Sequence, residues 1–183
     1  MSNFRVTLSA GVAVTLLAAG ATFAAKSQNA KSGAIERGKY LTTLMGCGDC
    51  HTPGTFYGVP DFKRQLSGSE MGWQMPNGVV YAANLTPDPE TGLGKWSDAQ
   101  IVQAIRTGNR PDGRQLAPIM PWMNYAALTD EDADAIVAYL RSIPAVKHAV
   151  PAPVAAETEV QGPVLRMPPP SAWDVPPGSS GGH

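Results

Sequence analysis

Cys47-Gly48-Asp49-Cys50-His51 decides how the rest of this 183-residue chain is read. On a helical turn, positions 47, 50 and 51 stand as i, i+3 and i+4, so the two thiols and the imidazole leave from one face. Two thiols spaced in this way can form thioethers to the two vinyl groups of one porphyrin. The imidazole beside them is then placed to ligate its iron. The run has the C-x-x-C-H form of a c-type haem attachment site. Other readings need more than the chain offers. Half of a zinc site would need a second cysteine pair, but the chain has only two cysteines, and His148 and His183 supply no matching spacing. A redox-active dithiol would sit beside a strand–helix unit, and none is visible around residue 47.

Composition bounds the answer further. The formal net charge is −1, which argues against nucleic acid as a partner, because phosphate binding needs an excess of Lys and Arg. Aromatic residues make up 7% of the chain, lean for a core, and a covalently held porphyrin would supply the missing apolar surface. The N-terminal end has the layout of an export signal: Arg5, then an Ala-rich apolar run from Val6 to Ala25 that ends in Ala21, Ala24 and Ala25. Residues 1–25 are therefore expected to be a signal peptide, with an uncleaved N-terminal anchor as the alternative. Export places the chain in an oxidising compartment, where bare thiols would become a disulfide and thioether formation spares them that fate.

Beyond a flexible polar lead at residues 26–33, three helices are expected. The first runs from Ser32 or Gly33 to Met45, with Ile35, Gly38, Leu41, Leu44 and Met45 along one stripe. Gly38 there implies either a close helix crossing or tolerance on a solvent face. The second spans Asp98 to Thr107, opened by a Ser97/Gln100 capping box and closed by Gly108. The third spans Asp130 to about Ser142, capped by Thr129 and bounded by Pro144. Between them, residues 52–95 read as a long irregular loop around a site, with a short extended piece at Val79-Val80-Tyr81. Asp88, Glu90 and Gly92 form too incomplete an oxygen series for a calcium loop. After Ile143 the chain carries nine of its 17 prolines and reads as an extended tail. Val164, Leu165, Met167 and Trp173 would either pin that tail or leave it loose.

The iron's second axial position is less constrained by the sequence. A methionine there would suit electron transfer. Met45 is too close to the attachment turn and Met167 lies in the tail, while Met71, Met75, Met120 and Met123 remain. Met120 stands in a loop before Pro121, which favours extended backbone at the preceding residue, and Met123 has similar reach.

Taken with Cys47 to His51, the loop Met120-Pro121-Trp122 and the run from Leu128-Thr129-Asp130 to Tyr139-Leu140 resemble a class I cytochrome c. Asn84-Leu85-Thr86-Pro87-Asp88, Thr91-Gly92-Leu93-Gly94, Trp96-Ser97-Asp98 and Arg106-Thr107-Gly108 narrow the resemblance. They are similar to the cytochrome c subunits of periplasmic, membrane-associated alcohol, sorbitol and gluconate dehydrogenases. The likeness covers residues 34–143 and implies an all-α, single-haem domain, with residues 144–183 as a Pro-rich tail outside it. It implies one covalent haem c held by Cys47, Cys50 and His51. Met120 would be the distal ligand, with Met123 as the alternative. Trp96 would donate to a haem propionate, or else simply pack. The first and last helices are expected to cross near Gly38, with Leu41 and Leu44 facing Ile136, Tyr139 and Leu140.

The implied function is an exported electron carrier, not itself an enzyme. Its expected partners are a dehydrogenase subunit and a downstream oxidase or quinone-linked acceptor, with membrane association through the N-terminal segment or a partner. Such family subunits often carry three haem domains, whereas this chain has one C-x-x-C-H. Lys63, Arg64, Arg106, Arg110 and Arg114 are candidate cations around the docking edge. A haem enzyme, peroxidase-like or sulfur-oxidising, or a haem sensor would instead need an open or exchangeable axial site.

Overall fold

Helix α1, Gly11–Leu44, opens the computed structural model, which describes residues 11–166. It continues straight through the polar stretch 26–33, which is therefore helical and not a flexible lead. Nothing between Ala24 and Lys31 stops propagation: the stretch has no proline, and a helix already nucleated extends at little cost per residue. Among the described residues, no helix is long and apolar enough to cross a membrane. The start of the signal-like segment, together with Met167 and Trp173 of the tail, lies outside the described residues.

A sharp turn at Gly46 leads into α2, Cys47–His51. Helix α3, Asp98–Thr107, shows both halves of the expected capping box: the Gln100 N–H donates to Ser97 Oγ at 3.2 Å, and the Ser97 N–H donates to Gln100 Oε1 at 2.8 Å. A short helix, α4, Trp122–Tyr125, forms inside the region expected to be a loop. Helix α5, Asp130–Ser142, begins where Thr129 Oγ1 accepts the Asp132 N–H and carries Asp130, Glu131 and Asp132 at its positive end.

Helices α1 and α5 form the main frame, and Gly38 lies at their crossing. A Cβ placed on Gly38 would fall 1.9 Å from the Ala135 carbonyl oxygen and 2.8 Å from Tyr139 Cβ, so only glycine lets the two backbones meet. Beside it, Arg37 Nε donates to Asp132 Oδ1 at 2.9 Å. The core below comprises Leu66, Leu93, Ile101, Ile136, Val137 and Leu140, with Leu41, Met45, Cys47 and Trp96 packed against it. Leu44 is not part of this contact. It is 66% exposed, and the buried place on that helix face goes to Thr42. Counting from Gly38, positions 41, 42 and 45 return to the buried face at 3.6 residues per turn, whereas 44 is carried off it.

The fold is not wholly α-helical. Strands β1, Gly72–Met75, and β2, Gly78–Tyr81, form an antiparallel hairpin about Pro76-Asn77. Segments from beyond α5 flank it: β3, Val154–Ala155, pairs antiparallel with β2, and β4, Val164–Leu165, pairs parallel with β1. The resulting small mixed sheet has the order β3-β2-β1-β4. Only the β2 half is legible in the sequence. Strand β1 shows no alternating pattern of its own, and the two-residue flanking strands exist because the hairpin offers them edges. Residues 144–166 are thus fastened to the domain, with Val164 and Leu165 among the fasteners.

Gly38→Ala is expected to lower stability by about 3 kcal/mol, as overpacking against rigid backbone does. Thermal unfolding measures this, and an unchanged midpoint would contradict the crossing. The Arg37 hydrogen bond holds the Asp132 carboxyl below its ordinary range, against a small desolvation penalty and with help from the Thr129 hydroxyl. A depressed folded-state pKa gives stability that is present above the unfolded value and lost as pH falls through the folded one. Asp132→Asn should therefore flatten the acid limb of the stability profile below about pH 4.

Candidate functional site

Helix α2 is a single turn, and its two faces meet different surroundings. Gly48, Asp49 and Thr52 border a groove shared with Thr42, Phe62 and Tyr139. By helical geometry, Cys47, Cys50 and His51 leave from the opposite side, as their spacing requires. Both cysteines are free thiols and both are half-buried. Burial pushes the Cys47 thiol up to about 11 and raises Cys50 as well. A redox-active dithiol depends on a lowered pKa, and this environment does the opposite.

His51 is 9% exposed. Its Nδ1 lies 2.6 Å from the carbonyl oxygen of Ala83. A carbonyl can only accept, so the proton sits on Nδ1 and Nε2 keeps its lone pair. Histidines that ligate metals are usually oriented in this way by a hydrogen bond to the other ring nitrogen. Desolvation lowers the His51 pKa, only partly opposed by the Ala83 carbonyl, and so favours the neutral ring that a metal needs. The His51 backbone is held too: its carbonyl accepts the Gly68 N–H at 2.8 Å.

Leu66 and Tyr125, which bond to the residues flanking α2, carry no motif in the sequence. Leu66 lies in the left-handed region with φ 61°, a conformation that costs a branched side chain of order 1 kcal/mol. It is retained because the Leu66 N–H donates to Thr52 Oγ1, its carbonyl accepts the Leu85 N–H, and its side chain is fully buried. Tyr125 Oη donates to the Met45 carbonyl at 3.0 Å, bringing the loop after Met120 to the cysteine turn. Burial pushes the Tyr125 hydroxyl up to about 12, with smaller contributions from Cys47 and Cys50, which places it near both thiols.

Ala83 is in turn positioned by its neighbour. Asn84, 1% exposed, donates through Nδ2 to the Val146 carbonyl at 2.7 Å and to Thr91 Oγ1 at 3.0 Å. Its Oδ1 accepts from both the N–H and the hydroxyl of fully buried Thr86. Asp88 Oδ1 accepts from the Glu90 and Thr91 N–H groups and the Thr91 hydroxyl, so it closes a protein turn. His148 completes the strap, reaching the Ser67 carbonyl through Nδ1 at 2.9 Å and Glu70 Oε1 through Nε2 at 2.7 Å. The Asn84 to Gly94 motif thus locks the segment after α5 against the loop that carries Ala83.

The remaining sequence candidates are placed as follows. Met120 is half-buried in the turn before α4, its N–H donating to the Ala117 carbonyl at 3.0 Å. Met123 lies on α4 and is 57% exposed. Trp96 packs against the core with the Arg110 guanidinium 5.3 Å from its ring centre. Met71 is buried just ahead of β1, and Met75 ends that strand. Most of the candidate docking cations are paired locally. Arg110 and Arg114 share Asp112, Arg64 meets Asp61 and Glu70, and Arg106 meets Asp130. Their combined field is correspondingly small.

A family model described as cytochrome c matches residues 35–144. Among curated proteins, the chain is 35% identical over 139 residues to the cytochrome c subunit of a quinone-dependent alcohol dehydrogenase of Gluconacetobacter polyoxogenes, covering 76% of this chain and 27% of the relative. A fructose dehydrogenase cytochrome subunit of Gluconobacter japonicus is 38% identical over 113 residues, 60% of this chain and 22% of that protein. A gluconate 2-dehydrogenase cytochrome c subunit of Pantoea cypripedii is 34% identical over 119 residues, 64% of this chain and 25% of that protein. The chain therefore spans only a fraction of the length of these relatives.

Asn84→Ala is expected to cost about 2 kcal/mol, because it leaves the buried Thr86 N–H without a partner and takes from the Val146 carbonyl its 2.7 Å donor, leaving it only the Thr86 hydroxyl at 3.3 Å. Amide exchange should accelerate first at residues 146–150. Uniform protection across that segment in the variant would contradict the strap.

Proposed function

The chain belongs to the cytochrome c family, and on that premise we propose that it is an exported carrier with one covalently held haem. The observation that carries the proposal is the hydrogen bond from His51 Nδ1 to Ala83, which leaves Nε2 as a neutral donor next to two free thiols. Each thiol would add across one vinyl group, its sulfur bonding one carbon and its proton going to the other. Cys47 and Cys50 are the only thiols in these 183 residues, which supports a single haem in this stretch of chain. When bound, haem supplies the one-electron couple of its iron. The protein's part would be to hold His51 and Met120 still as iron ligands, with His51 shielded from water by its burial.

His51 is the proximal ligand in this reading and Met120 the distal one. The half-burial of Met120 favours it over Met123, whose side chain is mostly in solvent. Trp96 and Arg110, stacked at 5.3 Å, provide an indole donor and a guanidinium suited to a propionate. The donor would be a dehydrogenase, as the relatives' names suggest for those proteins, and electrons would pass to an oxidase or quinone-linked acceptor of the respiratory chain. The N-terminal segment supports a periplasmic location, with membrane attachment through that segment or a partner.

The haem-loaded protein tests this directly. In the oxidised form, the weak absorption band at the red end of the visible spectrum that marks methionine–iron ligation should be present. It should vanish in Met120→Ala and survive in Met123→Ala. Rapid carbon monoxide binding to the reduced wild type would instead indicate an open axial site and overturn the carrier assignment.

A further inference from the structure

The loop that carries Met120 runs from Gly108 to Leu128 with little regular structure of its own. Methionine is unbranched and flexible, so a thioether ligand stays in place only as well as its backbone does. Three anchors hold this backbone. At its start, Gly108 closes α3 with φ 73°, and the indole of Trp122 lies directly over it: a Cβ on Gly108 would fall 2.8 Å from Trp122 Nε1 and 2.9 Å from Cδ1 and Cε2. The same indole N–H donates to the Leu116 carbonyl at 3.3 Å, while the Leu116 N–H donates to the Gly108 carbonyl at 2.8 Å. The peptide unit of Leu116 is thus bracketed between Gly108 and Trp122.

In the middle of the loop, the Trp122 N–H donates to the Met120 carbonyl at 2.8 Å. At its end, Arg106 from α3 donates through Nη2 to the Leu128 carbonyl and through Nη1 to Asp130 Oδ1 at 2.7 Å. Trp122 does not belong to the buried core cluster. A large aromatic ring outside the core, resting on a glycine and bonded at both its main chain and its indole, does something other than fill the interior.

We propose that Trp122, seated on Gly108, is a positioning residue that clips the 108–122 loop onto the end of α3 and so holds the Met120 sulfur at the iron, with Arg106 fixing the loop's far end. This rests on Met120 being the distal ligand. An external ligand can bind only when the methionine has left, so its apparent affinity reports the fraction of molecules with the loop open.

The experiment titrates imidazole into the oxidised, haem-loaded full chain and follows the methionine–iron band. Trp122→Phe keeps a ring but removes the indole donor, and Gly108→Ala pushes the ring away. Each should let imidazole displace the methionine at a concentration lower by about tenfold, the factor carried by one lost hydrogen bond of ordinary strength. Arg106→Lys, which cannot make the same fork, should act in the same direction. Gly38→Ala, which weakens the α1–α5 crossing at Ala135 and Tyr139 and touches neither Trp122 nor Gly108, should leave the imidazole midpoint where it is. Unchanged midpoints in Trp122→Phe and Gly108→Ala would overturn the positioning role, as would an equal shift in Gly38→Ala. If the band persists in Met120→Ala, the ligand assignment itself fails and the role of Trp122 falls with it. That result is read from a different variant.

Discussion

A neutral imidazole with its Nε2 lone pair free is the condition on which the whole site depends: burial favours the neutral ring, and the carbonyl of Ala83 decides which nitrogen carries the proton. At 2.6 Å, this acceptor selects one tautomer and one ring orientation. Neither would be secure if residue 83 could move. Much of the structure between residues 66 and 148 acts to keep it still: the Asn84 side chain bonded to Val146 and Thr91, the Leu66 backbone held left-handed by Thr52, and the His51 carbonyl tied to Gly68. A buried, fully bonded polar network of this kind is stiff because breaking any one contact strands a polar group in a low-dielectric interior.

The frame works by a different mechanism. Helices α1 and α5 meet through backbone proximity at Gly38, a contact defined by shape alone, with the Arg37–Asp132 pair at its border. Helix α1 then delivers the chain to the cysteine turn, while α5 contributes Ile136, Val137 and Leu140 to the core on which Cys47 packs. The steric frame locates the thiols, and the hydrogen-bonded cradle orients the imidazole. The two parts are joined where Tyr125 bonds the Met45 carbonyl, one step before the attachment turn.

The stretch shared with the alcohol, fructose and gluconate dehydrogenase cytochrome subunits is about a quarter of the length of each. Residues 144–166 are held at two places: Val146 bonds Asn84 and Thr86, and Val164–Leu165 lies as an edge strand beside Gly72 and Trp73. Prolines suit that course, since Pro153 and Pro163 stand just ahead of the two short strands and take no N–H from the ladders.

What the residues determined by themselves was local. C-x-x-C-H needs only helical spacing, the Ser97 and Thr129 caps only a few neighbouring positions, and Gly38 only the absence of a side chain where a stripe expects one. These were legible because each depends on contacts within a turn or two of the chain. Tertiary structure decided the rest. The acceptor for His51 is a main-chain carbonyl, which every residue possesses and no sequence pattern marks. The two short strands after α5 form only because a hairpin far earlier in the chain exposes edges to them. The seat of Trp122 on Gly108 depends on the path of the intervening loop. Each of these pairings spans many residues, and its energy appears only when the folded chain brings both partners out of water together.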